Sequence, residues 1–301
     1  MTGAPREADR APSPSFAPPP LSGPARGAAA ARAWPAAREL FDDAAADPAL
    51  ALASLRDIAR ANRLLGGTAA ALARLDEFFR GAGGGGRAGA TLTLLDVGTG
   101  GGDIARAARR RAARAGVRLR LVGLDRHAAA LRQAARAGEL AAVRGDAARL
   151  PLGDGAVDLV LCSQLLHHFH GPAVTTVLSE LHRVARLGVV VADLRPSPVA
   201  VLGWWLISFP LGFLPVTRRD GVTSLRRGFT PGALQAACEA AGAAADVRTH
   251  PGFRVTAAWR PRPTGADSPT MRSSRRPLDP ELARVPPAPR AGSRPDAGAT
   301  A

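Results

Sequence analysis

The 301-residue chain contains no lysine and no tyrosine, and it has only two cysteines. Without lysine it cannot build the phosphate-binding loop of P-loop nucleotidases, the Schiff base of pyridoxal-phosphate enzymes or the strand lysine of protein kinases. Reductases that use a Tyr/Lys pair are excluded as well. Cys162 and Cys238 stand far apart and have no partners at metal-ligand spacing, so they predict neither a disulfide framework nor a zinc site. We expect a reducing, cytoplasmic compartment.

Positive charge is abundant, but it is not arranged as in nucleic-acid-binding proteins. The 40 basic residues are all arginines, and against 25 acidic residues they give a formal net charge of +15. The arginines are spread along helical segments such as Arg106–Arg114. Only 4% of the residues are aromatic, too few for the stacking platforms that bind single strands. Solvated helix faces therefore explain the arginines, and we expect no nucleic-acid partner.

Proline marks the two ends of the chain. Sixteen of the 26 prolines fall in residues 1–24 and 261–301, and such sequences cannot bury enough apolar surface to offset the entropy of ordering. We therefore predict disordered tails over 1–34 and 261–301. The first residues also lack the apolar core of a secretory signal. The folded unit is expected over residues 35–260.

Within this unit the pattern changes at a glycine-rich stretch. Residues 35–80 have apolar side chains at helical spacing and predict an N-terminal helical cap. Four consecutive glycines at 83–86 indicate a linker over 81–90. Over residues 91–260, short apolar runs alternate with helical segments, which predicts an α/β domain with a doubly wound parallel sheet. The predicted strands include the runs at 91–95, 119–124, 157–161 and 188–192.

The most informative segment is DVGTGGGDI at residues 96–104. A strand ends at an acidic residue, and a turn with glycines at 98, 100 and 102 leads into a helix. Glycines let the backbone approach a ligand closely, and open α/β sheets bind nucleotides at the carboxyl ends of such strands. Two alternatives remain: the dinucleotide pattern G-x-G-x-x-A, which Gly100, Gly102 and Ala105 satisfy, and a tight turn without a ligand.

Acidic residues at successive strand ends separate these alternatives. A carboxylate at the loop repels a pyrophosphate, whereas the cationic amino and sulfonium groups of S-adenosylmethionine favour Asp96 nearby. Asp125 ends the next strand, where its carboxylate can accept both hydroxyls of a ribose. Asp146 follows a third strand and can accept from an adenine amine while the Ala147 amide donates back. Three such acids suit an adenosine with a cationic tail.

Over about residues 90–195 the sequence resembles the class I S-adenosylmethionine-dependent methyltransferases. The motifs fall in the order of that family, and two of them are similar to the branch of quinone-ring and polyketide-type small-molecule enzymes. They are the glycine turn, Asp125, Gly145-Asp146, LPLGDGAVDLV at 150–160, LLHHF at 165–169 and LSELHRV at 178–184. One departure is visible: Gly188 stands alone where the family often has Pro-Gly-Gly, which leaves the geometry of the expected turn open.

The resemblance implies a Rossmann-like, doubly wound sheet of seven strands, parallel with a final antiparallel strand. Its closing hairpin is expected at Ala244–Thr249 and Arg254–Trp259. S-adenosylmethionine is the expected cofactor. Its predicted binding residues are Asp96, Gly98, Thr99, Gly100, Gly102, Asp125, Arg126, Asp146, Ala147 and Ser163.

Catalysis of methyl transfer requires alignment of acceptor and donor, and for a hydroxyl acceptor it also requires a base. His168, just past the fourth strand, is the predicted base, with a hydrogen-bonded loop support as the alternative. Asp193, just beyond the fifth strand, is the second catalytic candidate, or else it pairs with Arg195. His167 is assigned to the acceptor. The spacing of His167, His168 and His170 matches no standard ligand pattern, so we expect no metal.

Two further groups are assigned to the acceptor. Arg63 offers a planar fork for a carboxylate or an acceptor oxygen, or it is simply a surface arginine near a helix end. The uncharged run Pro198–Val216 contains Trp204 and Trp205 and predicts an apolar lid, inserted over 198–217 after the fifth strand, that lines the acceptor pocket. A peripheral contact with a bilayer surface is a second use of this run. Its prolines and glycines argue against a transmembrane helix.

The sequence therefore predicts a methyltransferase acting at oxygen or carbon of an apolar small molecule of phenolic, quinone-like or polyketide-derived type. The alternatives are a catalytically inert module that binds the same cofactor and, more weakly, a nicotinamide-dependent oxidoreductase. Asp96 and the absent Tyr and Lys count against the oxidoreductase.

Overall fold

The computed structural model describes residues 38–43, 46–83, 89–136 and 140–261. The tail predicted over 1–34 lies outside the described residues, as do all but the first residue of the tail predicted over 261–301 and the centre of the linker predicted over 81–90.

A single seven-stranded sheet organises the described residues, with strand order β3-β2-β1-β4-β5-β7-β6. Every strand pair is parallel except those that involve β7, which is antiparallel to β5 and β6. The predicted Rossmann-like fold with a final antiparallel strand is confirmed. The strands are β1 Thr91–Val97, β2 Arg118–Asp125, β3 Leu140–Arg144, β4 Val157–Ser163, β5 Ala185–Leu194, β6 Asp246–His250 and β7 Arg254–Trp259.

Eight α-helices and two short 3-10 helices accompany the strands in the described residues. Several begin at a side-chain cap followed by proline, as where Ser197 and Thr230 accept from the backbone two residues past the proline. The α-helices are α1 Pro48–Leu64, α2 Gly67–Gly83, α3 Asp103–Arg114, α4 Ala128–Ala135, α5 Pro172–Val184, α6 Pro198–Ser208, α7 Pro215–Arg227 and α8 Pro231–Ala240. The 3-10 helices are Leu40–Asp42 and Leu166–His168.

Helices cover both faces of the sheet. Helices α5 and α8 pack on one face and α2, α3 and α4 on the other, because the buried strands present apolar side chains to both sides. Helix α2, whose residues fall mostly in the predicted N-terminal helical cap, packs directly against β5 and β7. Gly188 lies inside β5 and not in a turn. A side chain does not fit at this position, because a Cβ there would stand 2.0 Å from the ring of Phe78 on α2.

Helices α6 and α7 follow β5 and pack against each other. Trp204 of α6 is buried against α7, where its indole N–H donates to the Arg218 carbonyl at 2.8 Å. Among the described residues, no helix combines the length and the apolar character needed to cross a bilayer.

The α6–α7 contact leaves no room for a side chain at Gly221. A Cβ there would lie 2.3 Å from the Trp204 ring, whereas one at Gly203 of α6 would meet nothing within 4 Å. We expect G221A to destabilise the fold by about 1–3 kcal/mol through overpacking. G203A, the matched control, should stabilise it by about 0.5–1 kcal/mol. Urea unfolding monitored by circular dichroism measures both, and equal midpoints would contradict this packing.

Candidate functional site

The glycine turn joins β1 to α3 at the carboxyl edge of the sheet. The Gly98 and Thr99 amides both donate to the Leu124 carbonyl of β2, at 2.8 and 3.0 Å. Gly98, Gly100 and Gly102 all have φ values between 50° and 73°, a region that side chains with a Cβ rarely occupy. The turn therefore lies tightly between β1 and β2.

Three carboxyl groups surround this turn. Asp96, at the end of β1, is buried and accepts a hydrogen bond from the Thr99 hydroxyl at 2.8 Å. Burial raises its pKa to about 7, and the negative charges of Asp103 and Asp125 add to this rise. Burial also raises the pKa of Asp103. The turn thus collects negative charge that a cationic ligand would stabilise.

Asp125 supports the turn from β2. One carboxylate oxygen accepts the Gly100 amide and the other the His127 amide, each at 2.9 Å. The next side chain, Arg126, is exposed and donates to the Phe41 carbonyl. The Phe41 carbonyl also lies 3.0 Å from the ring of His127, so the segment around Leu40–Asp42 crosses the sheet edge beside Asp125.

The remaining predicted cofactor residues lie at the ends of β3 and β4. Asp146 is exposed and accepts the Ala148 amide at 2.9 Å, while Ala147 is buried. The Ser163 hydroxyl is buried at the end of β4 and has no hydrogen-bond partner among the described residues. A buried hydroxyl without a partner is costly, so this donor is available to a ligand.

His167 and Asp193 form a buried pair. The His167 Nδ1 atom lies 2.7 Å from a carboxylate oxygen of Asp193. Burial lowers the pKa of His167, but the charge and hydrogen bond of Asp193 outweigh it and leave the pKa raised. Burial likewise opposes the ionised Asp193, and His167 nevertheless lowers its pKa. Asp193 therefore orients His167 and does not pair with Arg195, whose guanidinium lies over the Phe253 ring at 5.5 Å.

His168 is the more accessible histidine and has a different carboxylate. Its Nδ1 atom lies 2.7 Å from Asp42, and its Nε2 atom lies 3.8 Å from Glu39. Its ring is tilted against that of His167 with centroids 4.4 Å apart. Burial opposes the ionised Asp42, but hydrogen bonds from His168 and Arg227 lower its pKa. The predicted base thus has an Nδ1 atom fixed by the Asp42 carboxylate and an Nε2 atom on the side of Glu39.

Glu39 completes this cluster. Its ligand atoms, with those of His167 and His168, lie within 4.8 Å of one another, which is close enough to hold a metal ion. However, the Glu39 carboxylate already accepts from the Ser224 hydroxyl at 2.8 Å and from Arg227 at 3.2 Å. Arg227 also lies 3.0 Å from Asp42. The Glu39 carboxylate is therefore already engaged in a hydrogen-bonded network, and Arg227 supplies the positive charge of that network.

Arg63 is exposed at the end of α1, and its buried neighbour Asn62 makes the specific contacts. The Asn62 side chain accepts from Gln164, which follows β4 with a φ of 52°. Asn62 also hydrogen-bonds Asp103 at the start of α3, which partly opposes the rise in the pKa of Asp103 that burial causes. Asn62 and Gln164 therefore join α1, β4 and the glycine turn.

The two tryptophans do not line this site. Trp204 is held between α6 and α7, and its ring lies 5.5 Å from that of Phe213. Trp205 is exposed and stacks on Phe209, with centroids 5.4 Å apart. Helix α7 packs against the 3-10 helix Leu166–His168 and supplies Ser224 and Arg227 to the cluster.

Comparison with known proteins agrees with this architecture. Residues 95–192 match the family model described as a methyltransferase domain, whereas no curated protein matches the sequence. A solved S-adenosylmethionine-dependent methyltransferase from Aquifex aeolicus is 16% identical with a TM-score of 0.49, over 72% of this chain and 99% of that one. Human N-acetylserotonin methyltransferase in complex with S-adenosylmethionine is 14% identical with a TM-score of 0.51, over 74% of this chain and 59% of that one.

The second of these structures shows the fold, and the family model identifies the segment that carries the strand-end motifs. Residues 95–192 thus match a methyltransferase domain, which agrees with the resemblance stated for the sequence, and they lie within a sheet of the same fold as the second structure.

Proposed function

We propose that the protein transfers a methyl group from S-adenosylmethionine to an oxygen or carbon atom of an apolar small molecule of phenolic, quinone-like or polyketide-derived type. The choice of cofactor is supported by the group of carboxyls around the glycine turn, above all by the buried Asp96 with its pKa of about 7. A cationic ligand lowers this pKa and relieves the repulsion, whereas a pyrophosphate increases it. The oxidoreductase alternative is therefore disfavoured.

Ligand placement follows the sheet edge. The Asp125 carboxylate has a lone pair left on each oxygen for a ribose hydroxyl after accepting Gly100 and His127. Asp146 and the Ala147 amide would bind the adenine edge. The Ser163 hydroxyl and Asp96 would hold the end of the cofactor that carries positive charge.

When bound, the cofactor supplies an electrophilic methyl group on a sulfonium. Transfer of that methyl group to an acceptor hydroxyl would leave the sulfur uncharged, and Nε2 of His168 would take the hydroxyl proton. Asp42 holds Nδ1 of His168 at 2.7 Å and stabilises the resulting imidazolium. His167, whose pKa is raised, is a hydrogen-bond donor beside the acceptor and not the base.

Methyl transfer is tested with the purified full chain, methyl-labelled S-adenosylmethionine and a panel of alkyl phenols, hydroquinones and hydroxylated polyketides. Label should enter the organic extract, and NMR of the product distinguishes methylation at oxygen from methylation at carbon. Tight cofactor binding without transfer to any acceptor would support the inert binding module instead. Calorimetric binding of NAD in place of S-adenosylmethionine would contradict the proposal.

Cofactor binding should depend on pH through Asp96. With a pKa of about 7, this carboxyl is largely protonated below neutral pH, and the cation binds the ionised form. The apparent dissociation constant should therefore rise toward about tenfold per pH unit below about 7 and level off above it. In Asp96→Asn that slope should vanish, with weaker binding at high pH. Titration of the cofactor itself affects both proteins equally. If calorimetry finds the same slope of the dissociation constant against pH in Asp96→Asn as in the unchanged protein, Asp96 is not the group that couples binding to pH.

A further inference from the structure

The outer face of α6 is apolar and exposed. Its side chains at positions i, i+3, i+7 and i+10 share one face, and together with their neighbours they are between 40% and 69% exposed. These residues are Val199, Leu202, Trp205, Leu206, Ile207 and Phe209. The opposite face, with Ala200, Trp204 and Ser208, is buried against α7. A helix that is apolar all round is normally buried, so its outer face needs a partner.

Arginines stand beside this face, and the nearby acids are buried. The Arg218 guanidinium lies 4.2 Å from the centre of the Phe209 ring, and the Arg219 side chain is 66% exposed. Residues 194–230 contain five arginines and one acid, Asp220, which is buried, accepts the Leu40 amide with one oxygen and lies 3.3 Å from the Arg219 guanidinium with the other. Arg218 and Arg219 therefore place positive charge beside the outer face of α6, and the acid that meets Arg219 is itself buried.

An apolar face with arginines beside it favours one kind of binding partner, an anionic lipid bilayer. A second copy of the chain that docked by the same face would bring arginines against arginines, which is unfavourable. An anionic bilayer offers apolar acyl chains to the exposed leucines and aromatic rings, and phosphates to the arginines. At 11 residues, α6 has the length of a helix that lies on a membrane and not of one that crosses it.

We propose that the outer face of α6, with Arg218 and Arg219, docks on the surface of an anionic lipid bilayer. The α7 helix beneath it also packs against Leu166–His168, so docking would place the histidines near the lipid from which an apolar acceptor is drawn. The docking itself does not depend on methyl transfer, and the labelled-methyl assay with acceptors in solution can succeed or fail separately.

Vesicle co-sedimentation of the full chain tests the proposal, with phosphatidylcholine alone and with added phosphatidylglycerol. We expect binding to the mixed vesicles that weakens with salt, and a partition coefficient lowered about tenfold or more by L202S combined with L206S. R219S should lower it by about fivefold. The matched controls are L64S, where the leucine is 59% exposed on α1, and R110S on α3; both should bind as the unchanged chain does. All variants retain the arginines outside the described residues.

A probe measures the contact directly. The two natural cysteines are buried, so an environment-sensitive fluorophore can be attached at L206C, with L64C as control. Its emission should shift to the blue on mixed vesicles at L206C only. The proposal is overturned by absent binding, by equal losses in L64S, or by equal, salt-insensitive binding to both vesicles. It is also overturned if light scattering shows a dimer that L202S with L206S abolishes while vesicle binding stays unchanged.

Discussion

Replacing His168 with alanine is expected to lower the turnover number by about 10²- to 10⁴-fold on a hydroxyl acceptor, with little change in the affinity for S-adenosylmethionine. The size of this loss reflects removal of the base from the transition state. His168 touches neither the glycine turn nor Asp125 through the hydrogen bonds described above, so cofactor binding should survive. Single-turnover methyl transfer and calorimetry measure the two effects separately.

The matched control is His170→Ala, because His170 is an exposed histidine two residues away. It should keep near-normal turnover. Asp42 is a positioning residue, and Asp42→Asn should lower the turnover number by less than His168→Ala does, because Nδ1 of His168 keeps a hydrogen-bond partner but loses the charged one. Near-normal turnover of His168→Ala at neutral pH would move the base elsewhere or indicate methylation at carbon.

The sheet and the cofactor side of the site are readable from the sequence because their signals are local. Buried parallel strands appear as short apolar runs, and the turn from Asp96 to Gly102 needs glycines where the backbone is left-handed. The order of Asp96, Asp125 and Asp146 then follows from the order of the strands. Gly188 shows where prediction from local sequence fails. It is a glycine because the Phe78 ring leaves no room for a side chain inside β5, but in the sequence it looks the same as a glycine in a turn.

The acceptor side carries no comparable signal. Asp42 meets His168 across 126 residues of sequence, and Glu39 and Arg227 join them only through the packing of α7. Nothing in the residues around Glu39 distinguishes them from other helix-capping acids. Likewise, the sequence shows that adjacent tryptophans must diverge on a helix, but not that α7 would cover the histidines while α6 lies outside it.

Removing the Asp125 carboxylate should weaken S-adenosylmethionine binding by about 1.5–3 kcal/mol, the range for hydrogen bonds to a charged group, or about 10- to 150-fold in the dissociation constant. Asp125→Ala removes two functions at once, because the same oxygens accept the Gly100 and His127 amides and shape the turn. Calorimetry on the folded variant gives the total loss but does not separate these functions.

A ligand without ribose hydroxyls separates them. We would compare S-adenosylhomocysteine with its 2′,3′-dideoxy analogue in the unchanged protein and in Asp125→Ala, as a cycle between one side chain and one part of the ligand. If Asp125 accepts the hydroxyls, their removal should weaken binding about tenfold or more in the unchanged protein and hardly at all in the variant. Equal weakening in both proteins would show that Asp125 only supports the turn, and the ribose would then require a different acceptor.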